Sequence, residues 1–356
     1  MKILSLNRYE SLGASSRIRF YQYLPYLKDQ GIDVTFSPLL GDNYIENLYA
    51  GKAKQLGSLF KSYLRRIACL LKSQSFDLIW IEKELLPWFP AWGEKTLFCL
   101  GVPYVIDYDD AIFHRYNLHP NFLVRTLLGR KIDTVMRYAS LVIVGNHYLW
   151  DYARKAGAVR VEYLPSVIDL NRYSLIAPAK NATFCIGWIG SPVTSHYLRL
   201  VEPALQQLCK DGSSRLVLVG SGKIALNGVP LEIRSWSEET ENKDIQDFDV
   251  GIMPLPNNPW ERGKCGYKLI QYMASCTPVI ASPVGVNQQI IDNGVNGFLA
   301  STQSEWIHAL ETLRANKSLR ESMGKAGRKK VEARYCLQVI APRLVSLLRS
   351  AVKEGN

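Results

Sequence analysis

The stretch ERGKCGYKLIQYMASCTPVIASPVG, which runs from Glu261 to Gly285, contains the signals of a loop, a helix and a buried strand in succession. Its spacing predicts a helix from about Tyr267 to Ala274, followed by an apolar strand around Pro278 to Ala281. A helix that leads directly into a buried strand is typical of α/β folds with parallel sheets.

Two glycines and two lysines surround the start of this predicted helix. Gly263 and Gly266 leave the backbone bare ahead of it, and Lys264 and Lys268 place two cations near its first turn. Because the free N–H groups and the dipole of a helix N-terminus attract anions, the lysines favour a phosphate or diphosphate site. A solvated lysine face capped by glycines is the alternative that the local pattern leaves open.

Apolar strand candidates alternate with helical segments along the whole chain. In the first half they are Ile3–Leu6, Ile32–Phe36, Leu78–Ile81, Tyr104–Asp107, Leu141–Val144 and Val161–Leu164. After the Pro-containing stretch Asn171–Ala182 they are Phe184–Ile189, Leu216–Val219, Leu231–Ile233, Asp249–Met253 and Pro278–Ala281. This alternation predicts two Rossmann-like domains, 1–172 and 181–337, each with a parallel sheet wound on both faces and with a cleft between the domains.

Length and composition agree with a two-domain globular protein. The chain has 356 residues and a hydrophobic fraction of 47%, which suits two α/β cores better than one. Its 7 cysteines have no CxxC or metal-ligand spacing, so we expect free thiols in a reducing cytoplasm. We find no signal peptide and no apolar run near the ~20 residues of a membrane span.

The net charge of +11, from 43 Lys and Arg against 32 Asp and Glu, points to anionic partners. We find no nucleic-acid-binding signature and expect no nucleic acid partner. No acidic residue lies between Glu46 and Asp77, a segment that contains Lys52, Lys54, Lys61, Arg65, Arg66 and Lys72. It predicts a helix whose apolar positions are core and whose outer face is basic. That face suits an anionic membrane surface, or it is merely solvated. The apolar positions are Leu56, Leu59, Phe60, Tyr63, Leu64, Ile67, Leu70 and Leu71.

The sequence YMASCTPVIASPVG resembles the donor-sugar motif of the retaining glycosyltransferases of family 4, which have the GT-B fold. The resemblance implies that the segment Lys264, Cys265, Gly266 and Tyr267 binds the donor and that Lys268 faces its diphosphate. Gln271 stands where the family has its second glutamate, which contacts the ribose, and an amide can accept the same bond. The family's first glutamate is replaced by Gly263, with Glu261 two residues away.

Three further stretches resemble the loops that hold the nucleotide sugar. In LGASSRIRF, Gly13 and Arg17 occupy the place of the loop against the donor phosphate, although a helix N-cap at Ser15 or Ser16 explains the local pattern equally. In WIGSPVTSH, Gly190 is followed by Ser191 and Thr194, whose hydroxyls either contact phosphate or cap a helix. The family's diphosphate arginine and lysine are replaced by Ser191 and His196.

The stretch VLVGSGK resembles the family's loop near the base. Gly220 and Gly222 form its turn, and Trp236 resembles a position beside the base, although a lone tryptophan is more often core. The last helix, within 338–356, resembles the family's helix that crosses back to the N-terminal domain.

The stretch YVIDYDDAIFH contains a predicted strand followed by acidic residues. These residues lie at the carboxyl end of the strand, where α/β folds place their ligands. By the resemblance, Asp109 stands where the family has a histidine that touches the donor sugar, and His114 comes five residues later. Asp110 either takes part in catalysis or caps the next helix, and Asp107 either contacts a ligand or is a satisfied polar residue. A magnesium site is a further alternative, but the resembling family needs no metal.

The loop LLPWFPAWGE is rich in aromatic residues. Trp88, Phe89 and Trp92 are either core, as we expect for at least one of them, or contacts to an acceptor or a membrane interface.

The resemblance implies a retaining hexosyltransferase-like enzyme that uses a nucleotide-diphospho-sugar in polysaccharide biosynthesis. Its acceptor would be a cell-surface glycan or a lipid-linked sugar, and Asp109, Asp110 and Lys268 would be its catalytic residues. We expect no cofactor and no metal, and a location in the cytoplasm or on the inner face of the membrane. The alternatives are a non-catalytic GT-B protein that binds a sugar nucleotide or a partner, and a sugar-nucleotide epimerase.

Overall fold

A computed structural model describes residues 1–49, 51–52, 56–175 and 183–353. The chain divides into two compact units. Unit 1 comprises Met1–Ser166, Arg262–Cys265 and Ile340–Asn356, and unit 2 comprises Val167–Glu261 and Gly266–Val339. The predicted start of the second domain at residue 181, and Lys54 of the basic segment, lie outside the described residues.

Unit 1 contains a sheet of six parallel strands in the order β2-β1-β3-β4-β5-β6. The strands are β1 Lys2–Leu6, β2 Asp33–Phe36, β3 Leu78–Glu82, β4 Tyr104–Tyr108, β5 Leu141–Val144 and β6 Val161–Tyr163. The helices between them are α1 Ala14–Arg19, α2 Leu24–Asp29, α3 Asp42–Tyr49, α4 Leu56–Leu71, α5 Trp92–Cys99, α6 His114–Asn117, α7 Phe122–Leu128, α8 Lys131–Tyr138 and α9 His147–Lys155.

Unit 2 contains a second sheet of six parallel strands in the order β12-β11-β10-β7-β8-β9. The strands are β7 Phe184–Ile189, β8 Ser214–Val219, β9 Leu231–Arg234, β10 Val250–Met253, β11 Val279–Ala281 and β12 Gly297–Leu299. The remaining helices of the chain are α10 Glu202–Cys209, α11 Glu241–Gln246, α12 Pro259–Arg262, α13 Tyr267–Ala274, α14 Asn287–Ile290, α15 Gln303–Ala315, α16 Lys317–Arg334 and α17 Leu337–Lys353.

The central strands of both sheets are buried along their whole length, which explains their continuous apolar sequences. In β7 the side chains of Phe184, Ile186 and Trp188 join one core cluster, and those of Cys185 and Ile189 join another on the opposite face. Because all strands of a sheet are parallel, their carboxyl ends and the loops that follow lie along one edge. The predicted site residues occupy those loops and the helices that follow them, α1 and α13.

The α4 helix is amphipathic as predicted, but the prediction that its apolar positions are core is wrong for five of the eight, while Leu59, Tyr63 and Leu70 are half-buried. Leu56, Phe60, Leu64, Ile67 and Leu71 are 78%, 66%, 50%, 45% and 84% exposed. The buried face of the helix uses other residues of the same segment, because its pattern contains two adjacent apolar arcs and only one of them packs.

The buried face of α4 includes a charged side chain. Arg66 is buried, and its guanidinium donates to the carbonyl oxygens of Asn7 and Ser37. Burial lowers the pKa of Arg66 to about 10. Arg66, one of the cations of the segment without acidic residues, is therefore not available to an anionic surface.

The aromatic loop also differs from its prediction. Trp88, Phe89 and Trp92 are 47%, 46% and 64% exposed, so none of the three is core. In the part of the chain that the structure describes, no helix combines the length and the apolar character needed to cross a bilayer.

Candidate functional site

Two glycines at the carboxyl edge of the unit 2 sheet bring the predicted donor-binding loops together. Gly190 follows β7, and a Cβ added to it would lie 2.4 Å from the Nζ atom of Lys268. Gly220 follows β8 with φ +74°, and its added Cβ would lie 2.4 Å from the Gly190 carbonyl oxygen. Glycine is required at Gly220, which has a positive φ and meets backbone, and a methyl group at Gly190 would have to displace the Lys268 ammonium group and the Trp188 ring.

The ammonium group of Lys268 is held beside this edge by an aromatic ring. Its Nζ atom lies 3.9 Å from the centroid of Trp188, a buried residue of β7. A cation at this distance from an indole face is attracted to it, which fixes the position of the charge. Sequence reasoning did not single out Trp188. The alternation of side chains along β7 is the pattern from which its position could have been predicted.

The loop after Gly190 arranges its hydroxyls internally. Thr194 donates to the Ser191 carbonyl oxygen from its backbone N at 3.0 Å and from Oγ1 at 3.1 Å. The 3₁₀ helix Ser195–Leu200 follows, and Thr194 caps it without a side-chain hydrogen bond. The helix-cap alternative for these hydroxyls is therefore wrong. His196 occupies the first turn of this helix, where its Nδ1 lies 2.9 Å from the Val193 carbonyl oxygen.

The loop after β8 is close to the aromatic residue predicted beside the base. Gly222 has φ +65°, and a Cβ added to Gly220 would lie 3.0 Å from the Cβ of Trp236. Trp236 is half-buried and packs against the unit 2 core, while its Nε1 donates to Glu241 Oε2 at 2.7 Å. Its indole therefore combines core packing with a position near the two glycines.

A buried hydrogen-bond network links Trp236 to Gln271. Tyr173 donates to the other oxygen of Glu241, Oε1, at 2.5 Å, and Gln271 Nε2 lies 3.5 Å from the Tyr173 hydroxyl. Burial raises the pKa of Tyr173 well above its usual value, so the phenol remains a donor. The sequence analysis missed Tyr173 and Glu241, which lie 68 positions apart in the chain.

The α13 helix begins and ends at the predicted residues, Tyr267 and Ala274. Gly266 is its N-cap, lies in the left-handed region with φ +66°, and has no side chain that could accept a capping hydrogen bond. Tyr267 is half-buried at its first position. Glu261 is the glutamate nearest to the position of the first glutamate in the family's donor-sugar motif. It is buried and accepts a hydrogen bond from the hydroxyl of Tyr197.

The carboxylates of unit 1 have different partners. Asp107 is buried and accepts two hydrogen bonds from Arg19, at 2.8 Å from Nε and 3.0 Å from Nη2. This confirms that Asp107 is a satisfied polar residue at a strand end. The α6 helix begins at His114 and has Phe113 as its N-cap. The alternative that Asp110 caps this helix is therefore wrong.

Lys83, which sequence reasoning did not single out, forms ion pairs with the other two carboxylates. Its Nζ lies 2.8 Å from Asp109 Oδ1 and 3.4 Å from Asp110 Oδ2, and it donates to Ser15 Oγ at 3.0 Å. Burial alone would raise the pKa of Asp109, but the charge and hydrogen bond of Lys83 outweigh it and hold that pKa below its usual value. Lys83 has φ +63°, a strained conformation for a non-glycine residue, and such strain is concentrated at functional sites.

The segment Arg262–Cys265 is part of unit 1 and contacts the same carboxylates. Lys264 Nζ lies 3.8 Å from Asp110 Oδ1. The thiol of Cys265 is buried and donates to the Asp109 carbonyl oxygen at 3.2 Å. A Cβ added to Gly263 would lie 2.4 Å from the Cβ of Ala111, so this glycine permits the close approach. Within unit 1, Lys264 is therefore an ion-pair partner of Asp110.

The predicted first loop lies at the start of α1, with Gly13 as the N-cap. Arg17 Nη1 donates to the Ser11 carbonyl oxygen at 3.0 Å. The serine N-cap alternative is wrong because Ser15 and Ser16 lie inside the helix, and Ser16 Oγ donates to Glu82 Oε2 at 2.6 Å.

Two other features of unit 1 bear on a metal or a histidine in the site. His114 is half-buried, with Nε2 2.8 Å from the Tyr148 hydroxyl and Nδ1 2.9 Å from Asn117 Oδ1. Among the described residues, no group of three His, Cys, Asp or Glu side chains is placed to hold a metal ion.

Comparisons with known proteins agree with this geometry. Residues 181–316 match the model of the family described as Glycosyl transferases group 1. The sucrose-phosphate synthase of Thermosynechococcus elongatus is 16% identical, with a TM-score of 0.74 over 98% of each chain. Anabaena HepE in complex with UDP-glucose is 17% identical, with a TM-score of 0.75 over 98% of this chain and 100% of that chain.

A glycosyltransferase from Rickettsia africae is 14% identical, with a TM-score of 0.69 over 99% of this chain and 98% of that chain. No curated protein sequence matches the chain significantly.

The chain has the GT-B fold of these structures, as the sequence predicts. The residues 181–316 that match the model of the group 1 glycosyltransferases include Gly190, Gly220, Trp236 and Lys268. The predicted class of enzyme, a glycosyltransferase, is confirmed.

Proposed function

We propose that this glycosyltransferase transfers a sugar from a nucleotide-diphospho-sugar to a cell-surface glycan or a lipid-linked acceptor, with retention of the anomeric configuration. The observation that carries the proposal is the position of Lys268, whose ammonium group lies against Gly190 and Trp188 at the carboxyl edge of a parallel sheet. A cation held in a fixed position beside a glycine backbone is suited to bind the diphosphate of a donor.

Unit 2 supplies the groups that the donor requires. Lys268 and the N-terminus of α13 would bind the diphosphate, with the Ser191 and Thr194 loop beside them. Trp236 would lie beside the base, and Gln271 would contact the ribose. Anabaena HepE has been crystallised in complex with UDP and with UDP-glucose, which supports a donor of this class.

The catalytic contribution of unit 2 is electrostatic. When the glycosidic bond to the diphosphate breaks, negative charge develops on the leaving phosphate, and an ammonium group fixed before the reaction stabilises that charge without reorganising. Retention then needs no side chain that attacks the sugar, because the acceptor oxygen bonds to the anomeric carbon on the face that the phosphate leaves, and the departing phosphate takes the proton of the acceptor hydroxyl. We propose that Lys268 makes a metal unnecessary for this step.

Unit 1 supplies carboxylates for the acceptor side. Asp109 is ionised at neutral pH because Lys83 lowers its pKa, so it can accept a hydrogen bond from a sugar hydroxyl. Asp110 lies between Lys83 and Lys264 and keeps the cluster close to neutral. We propose that Asp109 orients the hydroxyl that receives the sugar, in an enzyme at the cytoplasmic face of the membrane.

The proposal is tested by screening UDP-, GDP- and ADP-sugars by thermal shift and then assaying transfer with the donor that binds. A ligand present at 100 times its Kd stabilises the protein by about 2.7 kcal/mol. Binding followed by slow hydrolysis or transfer supports the enzyme. If a donor binds but is neither hydrolysed nor transferred to any acceptor, the result favours a non-catalytic binding protein. A product that is an isomer of the donor sugar identifies an epimerase.

A further inference from the structure

The α4 helix of unit 1 presents an unpartnered apolar stripe. The exposed residues Leu56, Phe60, Leu64, Ile67 and Leu71 recur at spacings of three and four. On a helix of about 3.6 residues per turn they fall within an arc of ~80°. The stripe is therefore continuous over the length of the helix, and exposed apolar surface of this kind marks an interaction site.

Cations border one side of the stripe. Lys61 and Lys72 are exposed, and the structure gives them no ion pair within the described residues. Arg65 lies on the same side, where its guanidinium donates to the Pro38 and Leu39 carbonyl oxygens. No acidic residue occurs from 47 to 76, and although Glu10 and Glu46 line a cavity together with Arg65, Lys61 and Lys72 remain exposed without an ion pair among the described residues.

Exposed aromatic side chains continue the surface on the other side. The rings of Tyr63 and Phe89 have centroids 5.5 Å apart, and the Tyr63 hydroxyl donates to the Pro87 carbonyl oxygen at 3.0 Å. A Cβ added to Gly93 would lie 3.4 Å from Leu70 Cδ1, so the start of α5, with its exposed Trp92, packs directly against α4. Tryptophan and phenylalanine beside an apolar stripe suit the interface between lipid headgroups and acyl chains.

We propose that α4 is an interfacial docking helix that inserts its apolar stripe into the headgroup region of an anionic bilayer. The cations beside the stripe would contact lipid phosphates, and Phe89 and Trp92 would deepen the contact. A bilayer is the occupant that fits, because one continuous surface offers apolar, aromatic and uncompensated basic groups together. Insertion of an apolar stripe is a stronger interaction than electrostatic attraction by a basic face. This docking depends on the proposed function only for the class of acceptor.

The test is partition of the full chain onto vesicles of phosphatidylcholine, with and without phosphatidylglycerol, at about 0.1 M salt and at high salt. The variant Phe60→Ser/Leu64→Ser removes apolar surface, and Lys61→Glu/Lys72→Glu reverses the cations. The matched control is Val159→Ser/Leu200→Ser, which changes two other exposed apolar residues. All four side chains of the apolar variant and its control are exposed, and thermal melting checks that each variant folds.

We expect the wild type to bind the anionic vesicles and the apolar variant to bind at least tenfold more weakly, with the control unchanged. The charge variant should lose binding at low salt as well. If Phe60→Ser/Leu64→Ser binds as the wild type does, or if the wild type does not bind, the proposal is overturned. It is also overturned if α4 instead covers a second copy, so that the wild type dimerises, the apolar variant is monomeric and neither binds vesicles. The donor-induced thermal shift of every variant separates these outcomes from a failure of the proposed function.

Discussion

Replacement of Lys268 by methionine tests the charge at the donor site with little change in packing. Methionine keeps an unbranched stem against the ring of Trp188 and the backbone of Gly190, and removes only the ammonium group. Because Lys268 is half-buried on α13, alanine would also remove the contact with the indole, and the two losses would be mixed.

The expected fall in kcat/KM follows from the interactions that the ammonium group makes. Hydrogen bonds to charged groups contribute about 1.5–3 kcal/mol, and loss of a preorganised donor to a developing negative charge costs about 2.7–4 kcal/mol in the transition state. We therefore expect kcat/KM to fall by about 10²–10³-fold. The cation–π contact is about 0.5–2 kcal/mol, so the melting temperature should fall by a few degrees at most.

The assay is steady-state transfer from the donor found by thermal shift, with Lys264→Ala as the comparison. Lys264 has the carboxylate of Asp110 as a partner, and its loss should reduce kcat/KM less than the loss of Lys268. If Lys268→Met retains near-normal kcat/KM while its fold is intact, the assignment of this lysine to the diphosphate is refuted.

Three further predictions concern neighbouring residues. Gly190→Ala should weaken donor affinity at least tenfold in a thermal-shift titration, because the added methyl would lie 2.4 Å from Lys268 Nζ; unchanged affinity would contradict the crowded geometry. Asp109→Asn should lower kcat more than it raises the donor Kd, and equal kcat in variant and wild type would exclude the orienting role. The lowered pKa of Asp109 means that its ionised form stabilises the fold above its unfolded value of 3.8 and that this contribution is lost as pH falls through the lower folded pKa. The difference in melting temperature between wild type and Asp109→Asn should therefore be constant near neutral pH and shrink below pH 3.8, which melting curves across acid pH will check.

Local sequence signals predict most of the fold because buried parallel strands are continuous apolar runs. The strands β5 and β7 have the predicted bounds, and the others differ by one or two residues at an end. The sequence analysis missed β12, which has three residues and begins with Gly297. A strand of three residues that begins with a glycine is too short to show a hydrophobic periodicity.

The partners of the site residues could not be predicted in the same way. Lys83 follows β3 and Asp109 follows β4, while Tyr173 and Glu241 lie 68 positions apart, so each pair meets only in the folded chain. The same limit applies to α4, whose sequence contains two adjacent apolar arcs. Periodicity shows that the helix is amphipathic but does not show which arc packs.

The departures from the family motif sharpen the role of Lys268. Ser191 and His196 replace the arginine and lysine that the resemblance assigns to the diphosphate, and their side chains are tied to the loop's own backbone or hydroxyls. A site in which these two cations are replaced depends more strongly on the ammonium group of Lys268, which lies beside Gly190. The fixed position of the Lys268 ammonium group over Trp188 offsets part of the loss, since a preorganised charge acts more strongly than a mobile one. For this reason the effect of Lys268→Met should lie at the upper end of its range.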